Sequence, residues 1–251
     1  MDKRIKIIGL TGKARSGKDT AARCIHQHIL NHTATVDFEY SYALGLEAFA
    51  APLKSMVAML LDFFGKGEIM NPATLQPYID GELKEELIPE IGASPRKLLQ
   101  TLGTEWGRQT IKDDIWIACM LERIKKYSMI LDHGFAGVII VITDVRFDNE
   151  ATALKELGAT LVEIKRDDVP DVVGDAPHGS EAGVSVDMID RVVYNNGTLE
   201  EFAYELVDKL SGVLPTYPDA ANDPVYELPW DAEDATEGDT ESDEDRPAAR
   251  S

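Results

Sequence analysis

Near the start of the chain, Gly12-Lys13-Ala14-Arg15-Ser16-Gly17-Lys18 carries the spacing G-x-x-x-x-G-K. That spacing suits phosphate. Its glycines let backbone N–H groups turn inward, a helix opening behind it adds partial positive charge, and its lysine neutralises the outer phosphates. Asp19 stands where a Ser or Thr usually ligates Mg²⁺, and Thr20 follows. A carboxylate is a hard oxygen ligand, so either residue suits a magnesium ion, directly or through water. A second acidic group, Asp144, ends the apolar run 137–143 and heads Asp144-Val145-Arg146-Phe147-Asp148-Asn149-Glu150. An acidic residue at such a strand end helps hold Mg²⁺ in phosphate-loop proteins, and Arg146 offers a phosphate-gripping fork. The structural alternative for Asp144 is a helix N-cap, and for Asn149 and Glu150 an exposed first helical turn.

A phosphate loop alone does not choose among kinases, GTPases and motors. The chain has no N-K-x-D guanine signature, no D-x-x-G switch after Asp144 and no L-S-G-G-Q transporter signature. Those absences favour a small-molecule kinase, which needs an acceptor pocket and a lid against water. The segment 96–108 (RKLLQTLGTEWGR) is the acceptor candidate, with Arg96, Gln100 and Thr104 at i, i+4 and i+8 of a predicted helix and Arg108 at its end. Arginines bind an acceptor phosphate and glutamine reads a base edge; Trp106 is either a stacking surface or a core residue. Residues 166–190 are the lid candidate, with Arg166, two prolines, three glycines and His178-Gly179-Ser180-Glu181. Phosphoryl transfer depends chiefly on positioning and charge, so His178 is read as packing or positioning rather than as an acid–base group.

These groups need a frame. Residues 4–10 read as a strand rather than a signal peptide, and 18–31 as a helix. A short strand is expected to end near Phe49 or Ala50, with Pro52 in the first turn of the next helix. Residues 65–93 have no clear period and read as an insertion or mobile cover. Ser94-Pro95 opens a helix, and another fits 113–127. Then come a central strand (137–143), a helix (147–157), strands at 160–165 and 191–194, and a closing helix (198–211). The alternation predicts an α/β fold with a mostly parallel sheet flanked by helices, binding ligand beyond the carboxyl ends of its strands.

Composition narrows the partners. The net charge of −20 argues against binding duplex nucleic acid, which needs clustered Lys and Arg. Half of that charge lies in Asp219–Ser251, where twelve Asp or Glu face two Arg. This segment reads as a disordered, solubilising tail, or as a docking segment anchored by Tyr226, Leu228 and Trp230. No apolar run is long enough for a membrane span. With two cysteines, Cys24 and Cys119, there is no disulfide framework, and the cytosol is the default compartment. Helical spacing splits Cys24 and His28 from His26, which argues against a metal cluster there. Oligomeric state is not legible, and a homodimer stays open.

The set GLTGKARSGKDT, FAAPLK (49–54), SPRKLLQTLGTEWGR (94–108), TDVRFDNEA (143–151) and HGSE (178–181) resembles the deoxynucleoside monophosphate kinases of tailed bacteriophages, in the same order over about residues 5–211. The resemblance accounts for Asp19, because phosphate loops of that family commonly read GKDT. It implies an ATP- and Mg²⁺-dependent enzyme that converts dNMP to dNDP, working in the host cytoplasm if phage-encoded. It implies a nucleoside monophosphate kinase-like P-loop fold: a kinase domain over 1–214, an acceptor-binding helical region at about 65–127, a lid at 166–190 and a tail at 215–251. Lys18 and Asp19 would serve ATP and Mg²⁺; Arg96, Gln100 and Arg108 would line the dNMP pocket; Arg146 would serve phosphate. Asn195 and its neighbours after the last strand would sit near the adenine. Thr104 and Glu150 complete the candidate acceptor set, and Lys18, Asp144 and Arg146 the candidate catalytic set. The alternatives are another P-loop small-molecule kinase, such as a dephospho-coenzyme kinase, or a non-catalytic ATP-binding interaction protein.

Overall fold

The computed structural model describes residues 2–67, 71–167 and 183–216. The acidic tail and HGSE, with most of the lid candidate, therefore lie outside the described residues.

β-Branched and leucine-rich runs form five strands: β1 (Ile5–Thr11), β2 (Tyr42–Glu47), β3 (Gly137–Ile142), β4 (Thr160–Lys165) and β5 (Arg191–Tyr194). They pair in the order β2-β3-β1-β4-β5, every pair parallel. β1 lies at the centre, with Ile8 opposite Val141 on one side and Thr160 on the other. Side chains alternate across the sheet. Ile8, Leu10, Ile139, Val141, Val162, Ile164 and Val193 pack on one face with α1 (Lys18–Thr35). Ile5, Ile7, Val138, Ile140, Ile142 and Leu161 pack on the other. Since helices cover both faces, β3 is buried at all six positions, which explains its uninterrupted apolar run.

Two helices frame the carboxyl ends of β2 and β3: α2 (Ala51–Phe63) follows β2, and α5 (Ile115–Lys126) packs its Trp116, Ile117, Met120 and Ile124 against the second face. The stretch without clear period contains α3 (Pro72–Ile79). Its cap is Asn71, whose side chain accepts the Ala73 N–H, and Leu75 and Ile79 join Val57 and Leu61 of α2 in a satellite core. The insertion is thus built on short apolar spacings rather than on a long period. A four-residue α6 (Ser128–Leu131) leads toward β3, α7 (Asp148–Glu156) follows it, and α8 (Leu199–Lys209) closes the fold over α1.

The helix expected over 96–108 is replaced by two helical forms. Ser94 caps α4 (Pro95–Thr101) by accepting the Lys97 N–H, and a π-helix then runs over Leu102–Ile111. The cause is Trp116. Its indole N–H donates to the Gly103 carbonyl at 2.8 Å, removing that acceptor from an α-helical ladder. Its ring leaves no room for a side chain at position 107, where a Cβ would lie 2.5 Å from the indole. The widened turn ends with the Lys112 N–H on the Gly107 carbonyl, an i to i−5 bond. Thr104 and Arg108 therefore do not continue the α-helical face of Arg96 and Gln100.

Candidate active site

The phosphate loop leaves β1 in a conformation that its glycines permit. Gly12 has φ +130°, and a Cβ there would stand 2.3 Å from the Ile164 carbonyl oxygen of β4. Arg15 is the one non-glycine residue with positive φ (62°) among the described residues. Gly17, at φ +103°, is the N-cap of α1. The Asn195 side chain fills the space beside Gly17 and donates to the Ser16 carbonyl at 3.0 Å, while its own N–H donates to Lys165. Asn195 thus braces the loop from the end of β5. Gly17→Ala would force a Cβ to 2.3 Å from the Asn195 amide nitrogen and keep a left-handed backbone. The backbone strain alone is about 1–2 kcal/mol. The expected result is a Tm lower by at least about 2–4 °C and weaker nucleotide binding, read by thermal unfolding with and without nucleotide.

Lys18 folds back over this loop, donating to the carbonyls of Gly12 (2.9 Å) and Lys13 (2.7 Å). Burial pushes its pKa below the ordinary lysine value; Arg146 pushes the same way, and Asp19 and Asp144 oppose. Arg146, Asp19 and Asp144 are thus the charges that act on Lys18. A half-buried cation crowded by a second cation is a place for an anion. Ser16 Oγ is buried beside the loop and has no hydrogen-bond partner among the described residues. Lys13, Ala14 and Arg15 form its exposed rim. Asp19 is exposed and Thr20 half-buried on the first turn of α1, where Thr20 Oγ1 accepts from Arg23 at 3.4 Å.

Asp144 is not the N-cap of the helix that follows it; Phe147 is. The two Asp144 oxygens accept the backbone N–H groups of Phe49 (2.7 Å) and Ala50 (2.9 Å), fixing the start of α2 from across the sheet. Burial raises its pKa above the ordinary carboxylate value, against the two N–H bonds and the charges of Arg146 and Lys54. Lys54, on α2, is also paired with Asp80.

Glu150 departs further from its expected exposed place. It is only 2% exposed. Oε2 accepts the N–H groups of Arg146 (2.9 Å) and Phe147 (3.2 Å), closing the start of α7, and Oε1 accepts from Arg108 Nη2 at 2.6 Å. Burial raises its pKa, the Arg146 N–H and Arg108 pull it down, and Asp144 adds to the rise. The Arg108 guanidinium also lies 4.1 Å over the ring of Phe147. Phe147 is thus a contact that charge-based reading passed over, although it sits inside the quoted motif.

The other acceptor-side candidates lie on α4 and the start of the π-helix. Arg96 is exposed and paired with Glu85. Gln100 and Thr104 are half-buried. Trp106 is the more exposed of two neighbouring tryptophans, its ring centroid 6.3 Å from that of Trp116. Within the described end of the lid candidate, Ser185 donates from its N–H and its hydroxyl to Asp148, tying that end to the start of α7.

The chemistry of a phosphate cradle, two arginines and buried carboxylates agrees with what comparison finds. The family model "Deoxynucleotide monophosphate kinase" matches residues 75–206. A protein of Acanthamoeba polyphaga mimivirus assigned as a deoxynucleotide monophosphate kinase is 31% identical over 208 residues, covering 80% of this chain and 94% of the viral protein. The deoxynucleoside-5'-monophosphate kinase of Escherichia phage T5 is 25% identical over 249 residues, covering 82% of this chain and 91% of its own. The deoxynucleotide monophosphate kinase of Enterobacteria phage T4 is 28% identical over 118 residues, covering 47% and 45%. By the family match and the extent of the mimivirus likeness, the chain belongs to the deoxynucleotide monophosphate kinase family.

Proposed function

We propose that this chain transfers the γ-phosphoryl group of ATP, bound with Mg²⁺, to a deoxynucleoside monophosphate, giving dNDP and ADP. The observation that carries this reading is the gathering of Lys18 and Arg146 at the phosphate loop, with Arg108 held to the Arg146 turn from the acceptor side.

The positive-φ glycines and the α1 N-terminus fit a nucleotide's phosphates. Lys18 exchanges its two carbonyl partners for phosphate oxygens. Asp19 and Thr20, on the first turn of α1, would hold Mg²⁺, which neutralises the transferring group when bound. Asp144 would assist them through the lone pairs that its two oxygens keep after each accepts one backbone N–H. An acceptor phosphate oxygen is anionic before it attacks, so no general base is required. It bonds to the γ-phosphorus as the bond to the β,γ-bridging oxygen breaks, and ADP leaves with that electron pair. Arg146 stabilises charge on the group in flight, and Arg108 receives the acceptor phosphate.

Arg96, Gln100 and Thr104, within the acceptor-binding region of about 65–127, are read as reaching the rest of the dNMP. The kinase domain is assigned to 1–214 and the lid function to 166–190, most of which lies outside the described residues, and the tail (215–251) is assigned no part in catalysis. Among the described residues no helix is long and apolar enough to cross a membrane, in keeping with work in the cytoplasm on a small-molecule substrate. The deciding experiment is an acceptor panel. With ATP and Mg²⁺, ADP release is expected only when a suitable dNMP is added; a full set of dNMPs and NMPs that yields no acceptor-dependent ADP sinks the proposal.

A further inference from the structure

We infer that Glu150 is a positioning residue rather than a substrate ligand: its buried carboxylate locks Arg108 of the π-helix to the turn that carries Arg146, so that the two arginines act as one preset unit. The inference rests on the kinase reading above and adds a coupling to it.

Three observations converge. First, the carboxylate has no spare access: at 2% exposure it accepts two backbone N–H groups on one oxygen and Arg108 Nη2 on the other. A group so enclosed reaches a substrate only by giving up those bonds. Second, Arg108 is held on two sides, by Glu150 at 2.6 Å and by the Phe147 ring at 4.1 Å, with its side chain 13% exposed. Its Nε and Nη1 donors make no hydrogen bond among the described residues, so the fork keeps capacity for an anion while its orientation is fixed. Third, the link joins elements that nothing covalent brings together, since Arg108 and Glu150 are 42 positions apart. The π-helix widens the turn at Gly103 and Gly107, and Arg108 reaches Glu150 from within that widened segment.

The carboxylate is the one side chain of its size that satisfies all three donors. Glutamine keeps the volume but has one oxygen. If that oxygen stays on the Arg146 and Phe147 N–H groups, its NH₂ opposes the Arg108 N–H. If the amide turns over, the backbone bonds are lost. In the first case Arg108 is released, and in the second it stays bonded to a side chain that no longer holds the Arg146 turn; either way the link between Arg108 and that turn is broken while the volume is kept.

The test is a kinetic cycle on the full chain, using Glu150→Gln, Arg108→Ala and the double variant, with KM measured separately for ATP and for the best dNMP of the acceptor panel. The expected result is that Glu150→Gln raises the dNMP KM about tenfold or more and leaves the ATP KM within about twofold. The double variant then matches Arg108→Ala alone, because the second change has nothing left to release. Multiplying effects in the double variant, or a Glu150→Gln protein with an unchanged dNMP KM, overturns the inference. So does a rise in both KM values alike, the mark of a general structural defect. Thermal unfolding accompanies each variant. Should Glu150→Gln fail to fold, Arg108→Ala decides: an unchanged dNMP KM there removes the arginine that Glu150 is inferred to place. Wild-type chain without turnover on any dNMP overturns the kinase reading itself, whereas normal wild-type turnover with uncoupled variants overturns only the role of Glu150.

Discussion

Lys18→Ala is expected to lower kcat/KM by about 10²–10³-fold or more, since removing one preorganised donor from developing charge costs that much. Its hydrogen bonds are to the Gly12 and Lys13 carbonyls, both of which can turn to water once the side chain is gone. The fold is therefore expected to survive with a near-native Tm. That separates this variant from Gly17→Ala, in which loop geometry and activity fall together. An ADP-release assay alongside thermal unfolding makes the comparison, and wild-type turnover in Lys18→Ala would reject the lysine as a catalytic group.

The second large effect is expected at Asp144. Asp144→Ala leaves the Phe49 and Ala50 N–H groups without acceptors at the head of α2. Each buried orphan costs about 1–3 kcal/mol, so a Tm lower by on the order of 5–15 °C is expected. Activity is expected to fall about 10²-fold, because α2 and its Lys54 shift relative to the phosphate loop. The pH dependence has a definite sign. A carboxyl whose folded pKa is raised contributes most stability below its ordinary pKa, and loses that contribution as pH climbs through the raised value. The Tm gap between wild type and Asp144→Ala should thus be widest in acid and narrow as pH rises; a gap that widens toward alkaline pH contradicts the buried environment assigned to Asp144.

What the sequence made legible follows from how local each signal is. The glycine spacing, the apolar run before Asp144 and the Thr160–Lys165 strand are short-range patterns, and each predicted element is found there. The strand order β2-β3-β1-β4-β5 is not local, and the alternation of elements predicted only a parallel sheet. The π-helix was hidden because its cause, Trp116, lies 13 positions from the carbonyl that it captures. Glu150 reads as a first-turn helix residue until Arg108 arrives from the acceptor side to bury it. Asp144 follows the strand as expected, but its N-cap alternative does not hold: the next helix is capped at Phe147, and the Asp144 carboxylate instead accepts N–H groups just ahead of α2, some 95 positions earlier, which no local pattern reveals. Asn195, which the resemblance puts near the adenine, has a second task that no local pattern shows: Gly17 has no side chain to hold it off, and its amide donates to the Ser16 carbonyl.

The brace from Asn195 to Ser16 spans 179 positions, and Gly12 backs onto Ile164. This sets an order of events during synthesis. The phosphate loop leaves the ribosome before the strands that support it: β1 has no neighbour until β3 and β4 are made, and the loop lacks its Asn195 brace until the end of β5 appears. At about 5–20 residues per second, that interval is on the order of ten to thirty seconds. A nascent chain therefore carries a complete phosphate-binding motif well before it acquires affinity for nucleotide, and a ribosome-bound chain halted before residue 195 is not expected to retain ATP.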